Sequence, residues 1–454
     1  MAERFKLIVL DDDPTGSQTV HSCPLLLRWD ASSLRRGLAH PSPLLFVLAN
    51  TRALGADAAR ARVHEICRAL KPALAWAQEA GHLDRWMVVS RGDSTLRGHF
   101  PLEVDVLHEE LGPFDLTLLA PAFLPGGRTT VEGVHLLQGE PVHTTPFARD
   151  GLFGYSTSHL PAWVEEKSGG RIEASAVQRL SLAELDAAAK APAGMDRLCD
   201  RLLACRRNTL VVVDAQQPHQ LEALGAAVRR VSAQGRRLLA QSAASLLNGL
   251  VALPPQPLDA RGLAGLRRLD GDGRPLPGLV LVGSHVPLAD AQLHCLLQEP
   301  ACGGVELPVA QVAQSLHDAE EQQSISTLQS CVLEQLRQQL QAGRTPVLYT
   351  SRGELACVSP GERRRLGLEL AGLMARLVAA LTPELGYVIS KGGITTHTLL
   401  ADGLGLAQVA LQGQLMPGLS LVLAADLPVI TFPGNLGDVD TLMQSWQALR
   451  EAQS

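Results

Sequence analysis

Short continuous apolar runs, each ending in a polar or glycine-rich turn, constrain this chain more than any other feature. Lys6–Leu10 ends in Asp11-Asp12-Asp13-Pro14-Thr15-Gly16, and Leu44–Leu48 precedes Asn50-Thr51-Arg52. Trp86–Val89 precedes Ser90-Arg91-Gly92-Asp93, and Leu116–Leu119 leads to Ala120-Pro121-Ala122-Phe123. Leu210–Val213 leads to Asp214, and Arg237–Ala240 to Gln241-Ser242. Amphipathic stretches, notably Ala56–Glu79 and His219–Ala233, separate several of them. Strands that are apolar on both faces and alternate with helices predict a parallel sheet covered by helices on both sides. Ligands of such sheets bind beyond the carboxyl ends of the strands, where these polar turns fall.

A second series follows a Pro- and Gly-containing stretch, Leu253–Gly278. Gly278–Val282 precedes Gly283-Ser284, and Pro346–Tyr349 precedes Thr350-Ser351-Arg352-Gly353. Tyr387–Ile389 precedes Ser390-Lys391-Gly392-Gly393, while Gln408–Leu411 and Leu421–Ala424 read as further strands. Helices are expected at Pro287–Gln298, Ser324–Gln341 and Arg363–Leu381. The expected architecture is α/β with two domains, each a largely parallel sheet flanked by helices, and an active site in the cleft between them. The expected divisions are a first domain over residues 1–250, a linker over 251–278 and a second domain over 279–454.

The chain has 454 residues, 46% hydrophobic and 19% charged, which excludes a mainly disordered or fibrous protein. The net charge is −6, and the short basic runs at Arg35–Arg36, Arg229–Arg230 and Arg363–Arg365 lack interleaved aromatics. They read as solvated helix faces, so no nucleic-acid partner is expected. Eight cysteines without a CxxC pair argue against a disulfide scaffold or a thiolate metal site. Met1–Lys6 reaches a strand-like run with no signal-peptide core, and Asp, Gly or Pro breaks the longest apolar stretches short of about 20 residues. A cytoplasmic protein with no membrane partner is therefore expected. Symmetric dimers are common among metabolic enzymes, which is the only warrant for expecting a homodimer.

The acidic turn after Lys6–Leu10 is the strongest local oddity. Three neighbouring carboxylates repel one another unless a ligand, cation or positive side chain compensates. They either cap the following helix or serve hydroxyl recognition, base catalysis or magnesium chelation. Ser90-Arg91-Gly92-Asp93-Ser94-Thr95-Leu96-Arg97-Gly98-His99 packs a carboxylate, hydroxyls and guanidiniums suited to a substrate carboxylate. Thr51-Arg52 and Gly126-Gly127-Arg128-Thr129-Thr130 add donors. Together they predict a pocket for a small, acidic, polyhydroxy molecule, with Arg52 and Arg97 meeting its carboxylate and Asp13 or Asp93 orienting or deprotonating its hydroxyl. Asp93 and Arg97, four apart, are expected to share a face of a starting helix; the alternative is that they pair only with each other. His135, His143 and His159 lack a compact ligand pattern, and the metal site is left unassigned. In the second half, Gly283-Ser284 and Gly392-Gly393-Ile394-Thr395-Thr396 stand between strand and helix, and Gly434-Asn435-Leu436-Gly437 comes later. Such turns let backbone amides close on phosphate oxygens. They match neither GxxxxGK[ST] nor GxGxxG. Lys391 either adds charge to the phosphates or points to solvent.

These motifs, in this order, resemble the four-carbon acid sugar kinase family, once known only as a domain of unknown function. The resemblance rests on Asp12-Asp13-Pro14-Thr15-Gly16, Asp93-Ser94-Thr95-Leu96-Arg97-Gly98, Pro121-Ala122-Phe123 with Gly127-Arg128-Thr129, Gly283-Ser284 before Gln292, Gly392-Gly393-Ile394-Thr395 and Pro433-Gly434-Asn435-Leu436-Gly437. It covers nearly the whole chain. It implies ATP- and Mg²⁺-dependent phosphorylation of the terminal hydroxyl of a threonate, erythronate or 3-oxo-tetronate. Asp12, Asp13, Arg52, Asp93, Ser94 and Arg97 then fall on the sugar-acid side, with Thr51, Arg91 and Arg128 beside them. Ser284, Gly392, Gly393, Ile394, Thr395, Gly434, Asn435 and Gly437 fall on the ATP side, beside Lys391. Many members carry Lys at Arg91, Glu at Ile394 and a Lys-x-Gly-Asn pattern at Phe432-Pro433-Gly434-Asn435, so this chain resembles a divergent subgroup. A metal-dependent sugar-acid lyase or aldolase, and a non-catalytic sugar-acid-binding protein, are the alternatives.

Overall fold

The computed structural model describes residues 4–16, 19–251, 253–316, 321–353 and 359–451. Of the residues used above, Met1–Glu3 and Cys357 lie outside them. The chain divides into two compact units, Met1–Pro255 and Gln256–Ser454.

The first unit is built on β1 (Phe5–Asp11), β2 (Cys23–Leu26), β3 (Leu44–Leu48), β4 (Arg85–Arg91) and β5 (Leu116–Ala120). A small antiparallel sheet follows, with β6 (Arg128–Val131), β7 (Val134–Leu137) and β8 (Glu140–Pro141). The main sheet is completed by β9 (Gln178–Leu180), β10 (Thr209–Val213) and β11 (Leu238–Ser242). Its order is β2-β3-β1-β4-β11-β5-β10-β9, and every neighbouring pair is parallel. Leu7, Ile8, Val9, Leu44, Leu45, Phe46 and Val47 are fully buried. At roughly 1.5–3 kcal/mol per large apolar side chain, this burial fixes the register. Val9 lies beside Phe46 on one side and Val89 on the other. The same register sets Asp11 beside Arg91, and Arg91 beside Ser242, across the carboxyl ends of β1, β4 and β11. The chain reverses its direction of travel across the sheet between β1 and β4, which is where open α/β sheets bind ligands. Helix Ala56–Glu79 buries Val63, Ile66, Cys67, Leu70 and Leu74, the apolar stripe that its sequence spacing predicts.

The second unit holds β12 (Gly278–Val282), β13 (Cys302–Leu307), β14 (Thr345–Thr350), β15 (Tyr387–Lys391), β16 (Gln408–Met416), β17 (Leu419–Ala424) and β18 (Leu427–Phe432). Their order is β13-β14-β12-β15-β18-β17-β16. β13 through β18 pair in parallel, and β17 and β16 close the set as an antiparallel meander. The reversal point here is between β12 and β15. β18 has no counterpart in the sequence reading because Pro428 sits inside it, and proline argues against an interior strand. β13 was masked by its two glycines and by alternating exposure along the strand.

The stretch 251–278, expected as a linker, is shared between the units, with Gln256 onward in the second. Leu263 and Ala264 of helix Ala260–Ala264 are buried in its core with Val280, Ile389 and Trp446. Arg365–Glu384, interrupted by Gly367, Gly372 and Pro383, nonetheless has a mean hydropathy of 1.4 and is long enough to cross a membrane by length and composition. Leu373, Met374, Leu377, Val378 and Leu381 within it are buried inside the protein. All described cysteines are free thiols.

Candidate active site

The acidic turn leaves β1 under tight steric control. A Cβ at Gly16 would lie 1.9 Å from Asp11 Oδ1, so only glycine lets the chain pass over that carboxyl. Asp13 accepts the Thr15 amide at 2.8 Å and the Thr15 hydroxyl, which folds the turn back on itself. Arg52, from the short helical turn Thr51–Ala53 after β3, grips Asp12 with Nε and Nη2 at 2.9 and 2.5 Å. Its Nη1 lies 3.5 Å from Asp13 and 3.9 Å from Asp93. Arg91 Nη1 stands 3.5 Å from Asp11 and 3.7 Å from Asp12. Arg97 Nε donates to Asp93 Oδ2 at 2.8 Å, and Thr95 donates its hydroxyl to the same oxygen.

The three consecutive aspartates therefore have different fates. Burial pushes Asp11 up to about 8, with Arg91 opposing, so it is largely protonated at neutral pH. Burial also raises Asp12 against the pull of Arg52. Asp13 is also desolvated, but Arg52 and the Thr15 hydrogen bonds outweigh this and hold it low. Asp93 is likewise desolvated, yet Arg52 and Arg97 hold it well below the usual carboxylate range.

Several expectations change at this point. Asp93 and Arg97 do not sit on a starting helix. Residues 92–100 form an irregular turn with Leu96 at φ 64° and Gly98 at φ 141°, and the helix begins at Leu102. The pair is formed, and the Arg97 guanidinium also lies 4.9 Å from the centre of the Phe147 ring. Among the described residues its side-chain donor bonds use Nε alone. Arg52 is already engaged by three carboxylates and is not available as a free carboxylate clamp. Thr51 is fully buried and donates to Glu103 Oε1 at 2.5 Å, which makes it part of the wall rather than a ligand contact. Arg91, 5% exposed, braces Asp11 and Asp12 from behind. The Ser94 carbonyl is held by His135 Nε2 at 2.8 Å. Arg128 is half-buried, with Nη1 on the Gly126 carbonyl at 2.6 Å and its charge disfavoured by burial. His135 is fully buried between the Thr130 hydroxyl and Ser94, and burial lowers it to about 4, so it is a neutral structural residue.

The sequence reading missed Glu103. It lies in the first turn of helix Leu102–Leu111, where an acidic residue normally just complements the helix dipole. Here it is buried, accepts from Thr51 and Ser90 (2.7 Å), and is pushed to about 7 by burial and by Asp12.

In the second unit, three glycine turns abut at the carboxyl ends of β12, β15 and β18. The Gly283 amide donates to the Lys391 carbonyl at 3.1 Å, and the Gly392 amide to the Phe432 carbonyl at 2.9 Å. A Cβ at Gly283 would lie 2.0 Å from Thr395 Oγ1, and one at Gly434 would lie 2.7 Å from Ser284 Oγ. Gly392, at φ 119°, turns the chain into helix Gly393–Thr398. Gln292, fully buried, donates to the Leu436 and Asp438 carbonyls at 3.0 and 2.6 Å and so fixes the turn containing Gly437. Asn435 and Ile394 are exposed beside it. A side chain at Gly283, Gly434 or Gly437 would collide with Thr395, Ser284 or Thr441, so these turns are lined by backbone, which fits a phosphate chain approached by backbone.

Lys391 does not point to solvent. It is fully buried, with Nζ 3.8 Å from the centre of the Phe432 ring and donating to the Pro433 and Gly434 carbonyls at 3.0 and 3.2 Å. Burial lowers it to about 7. It ties β15 to the turn after β18. Arg352, after β14, was also missed; it donates to the Ser284 carbonyl at 2.7 Å and to Asp290 at 2.9 Å. No group of three or more His, Cys, Asp or Glu forms a metal cage among the described residues.

Comparison with known families follows the same division. Residues 7–250 match a sugar-binding N-terminal domain, and residues 279–442 match a nucleotide-binding C-terminal domain. The chain belongs to the four-carbon acid sugar kinase family. It is a kinase. Similar proteins include a D-threonate kinase of Cupriavidus necator, 27% identical over 379 residues, covering 80% of both chains. A D-erythronate kinase of Heliobacterium modesticaldum is 24% identical over 469 residues, 96% of this chain and 94% of the other. The fold matches that of a Salmonella typhimurium protein of known structure with a TM-score of 0.65 at 18% identity, covering 97% of this chain and 98% of that one.

Proposed function

We propose that the protein transfers the γ-phosphate of ATP to the terminal hydroxyl of a four-carbon sugar acid. The observation that carries this reading is the charge cluster at the reversal point of the first unit, where Arg52 binds Asp12, Asp13 and Asp93 together. A hydroxylated anion suits such a site, since carboxylates accept its hydroxyl protons and outlying guanidiniums take its carboxylate. Arg97 and Arg128 are the guanidiniums for that role. The relatives named D-threonate and D-erythronate kinase support a tetronate.

Asp13 is the most exposed of the three aspartates, with 22% of its side chain accessible, and is the residue placed to accept a hydrogen bond from the terminal hydroxyl. Being held low, it is a weak base. It orients the hydroxyl and takes the proton only as transfer makes that proton acidic, which a loose phosphoryl-transfer transition state allows. Asp93 and Asp12 hold the remaining hydroxyls. In the second unit, the backbone of Gly283-Ser284, Gly392–Thr395 and Gly434–Gly437 receives the phosphates. Mg²⁺ bound with ATP supplies charge neutralisation of the phosphate oxygens; it commonly needs only one or two carboxylates beyond them. The reading places the enzyme in the cytoplasm, with its ATP.

Purified protein with ATP, Mg²⁺ and a panel of threonates, erythronates and 3-oxo-tetronates should release ADP only when one of the acids is present. ADP release indifferent to every acid in the panel would overturn the assignment.

A further inference from the structure

Against the acidic cluster of the first unit lies a cavity of about 20 Å³, room for one water-sized group. Asp12, Asp93, Arg97, Trp163, Gln241 and Ser242 are among its walls, so it opens from the proposed acid site rather than standing apart. Three polar atoms of its lining residues, Ser242 Oγ, Gln241 Oε1 and Trp163 Nε1, are buried with no hydrogen-bond partner among the described residues. Ser242 and Trp163 are each 2% exposed. A buried polar atom without a partner is costly, and three around one cavity mark a place built for a polar group.

The surroundings keep this space open. A Cβ at Gly92 would lie 2.6 Å from Gln241 Nε2, so glycine is what lets that amide sit there. Gly98, at φ 141°, places no side chain near Asp12 Oδ2, from which a Cβ would be 3.6 Å away. Trp163 is held by stacking on Phe100, with ring centres 4.7 Å apart.

We infer that this cavity is a hydroxyl subsite, taking one neutral hydroxyl of the sugar acid. An alcohol oxygen donates one hydrogen bond and accepts two. The walls supply the complement: Gln241 Oε1 accepts, while the Ser242 hydroxyl and Trp163 Nε1–H donate. A carboxylate or phosphate would overfill the space and would face the carboxylates of Asp12 and Asp93. The inference deepens the proposed function and rests on its placement of the acid in the first unit. A site that hydrogen-bonds a substrate hydroxyl discriminates strongly against the analogue lacking it.

The test is calorimetric binding of tetronates and of their 2-deoxy and 3-deoxy analogues, without nucleotide, to wild-type protein and to Ser242→Ala and Trp163→Phe. Thermal melts check folding, and Trp163→Phe retains the stacking ring. Wild-type protein should prefer the full tetronate over one of the deoxy acids by roughly a hundred-fold or more. Each variant should bind the tetronate about ten-fold more weakly and lose much of that preference. Folded variants that keep the wild-type preference, or a wild type indifferent to both deletions, would show that the cavity holds only a water and would overturn the subsite. Because the readout is binding, it separates from the proposed function, which fails instead if the acid binds with this preference and ATP yields no phosphorylated product.

Discussion

Replacing Arg52 by Ala is expected to cost about 3–5 kcal/mol of stability and to abolish acid binding. The figure is that for leaving buried charge uncompensated. Arg52 is bidentate on Asp12, which is 3% exposed, and reaches Asp13 and Asp93. Without it, Arg91 and Arg97 are left to balance carboxylates that they only partly face. The pH dependence gives the diagnostic sign. In the wild type Asp13 and Asp93 are held below their unfolded values, so they add stability above about pH 4 and lose it as pH falls through their folded values. In the variant both carboxyls rise, the folded state binds protons more readily than the unfolded chain, and stability falls as pH climbs. The gap in melting temperature between the two proteins should therefore widen from about pH 4 to about pH 8. Arg52→Lys, which keeps a charge but not the planar fork, should fall between them and remain folded for binding measurements. A variant that melts with the wild type across this range would show that the cluster does not depend on Arg52.

Lys391→Met is expected to raise the KM for ATP about ten-fold while leaving sugar-acid binding unchanged. Methionine retains the buried stem, but it leaves the Pro433 and Gly434 carbonyls without the donor that holds them at 3.0 and 3.2 Å. A lost hydrogen bond of this kind is worth about 1–1.5 kcal/mol. The Gly434 backbone packs on Ser284, so displacement there disturbs two of the three glycine turns. Stability should respond differently. Lys391 is lowered to about 7 in the folded protein, so the unfolded chain holds more protons between about pH 7 and about pH 10. Wild-type stability should gain from this group as pH rises through that window, and the variant should lose that gain. Steady-state kinetics with ATP varied, alongside melts at several pH values, checks both. An unchanged KM for ATP would restrict Lys391 to a structural role.

The parallel-sheet architecture was legible because its central strands are apolar on both faces. Runs such as Lys6–Leu10 and Leu44–Leu48 leave little alternative, and they deliver the polar turns to the carboxyl ends. What residue type and spacing could not show was how charge is shared among those turns. Asp11, Asp12 and Asp13 look alike in sequence, yet burial and unequal access to Arg52 and Arg91 protonate one and ionise another. Thr51 and Arg91 read as ligand donors, but the turn after β3 and the end of β4 carry them into the wall. Glu103 and Trp163 sit on helices where nothing in the local pattern marks them as facing the cluster. Lys391, just before two glycines, read either as a phosphate cation or as a solvent-facing residue. Its strand register, opposite Phe432, turns it into the core instead.

The account is tested most directly by the fate of the γ-phosphate. Wild-type protein is incubated with γ-labelled ATP, Mg²⁺ and each four-carbon sugar acid in turn, and the products are separated. The account predicts label in a phosphomonoester at the terminal carbon of at least one acid, formed in step with ADP and absent when the acid is omitted. Label recovered only as inorganic phosphate, or on no acid at all, would contradict it.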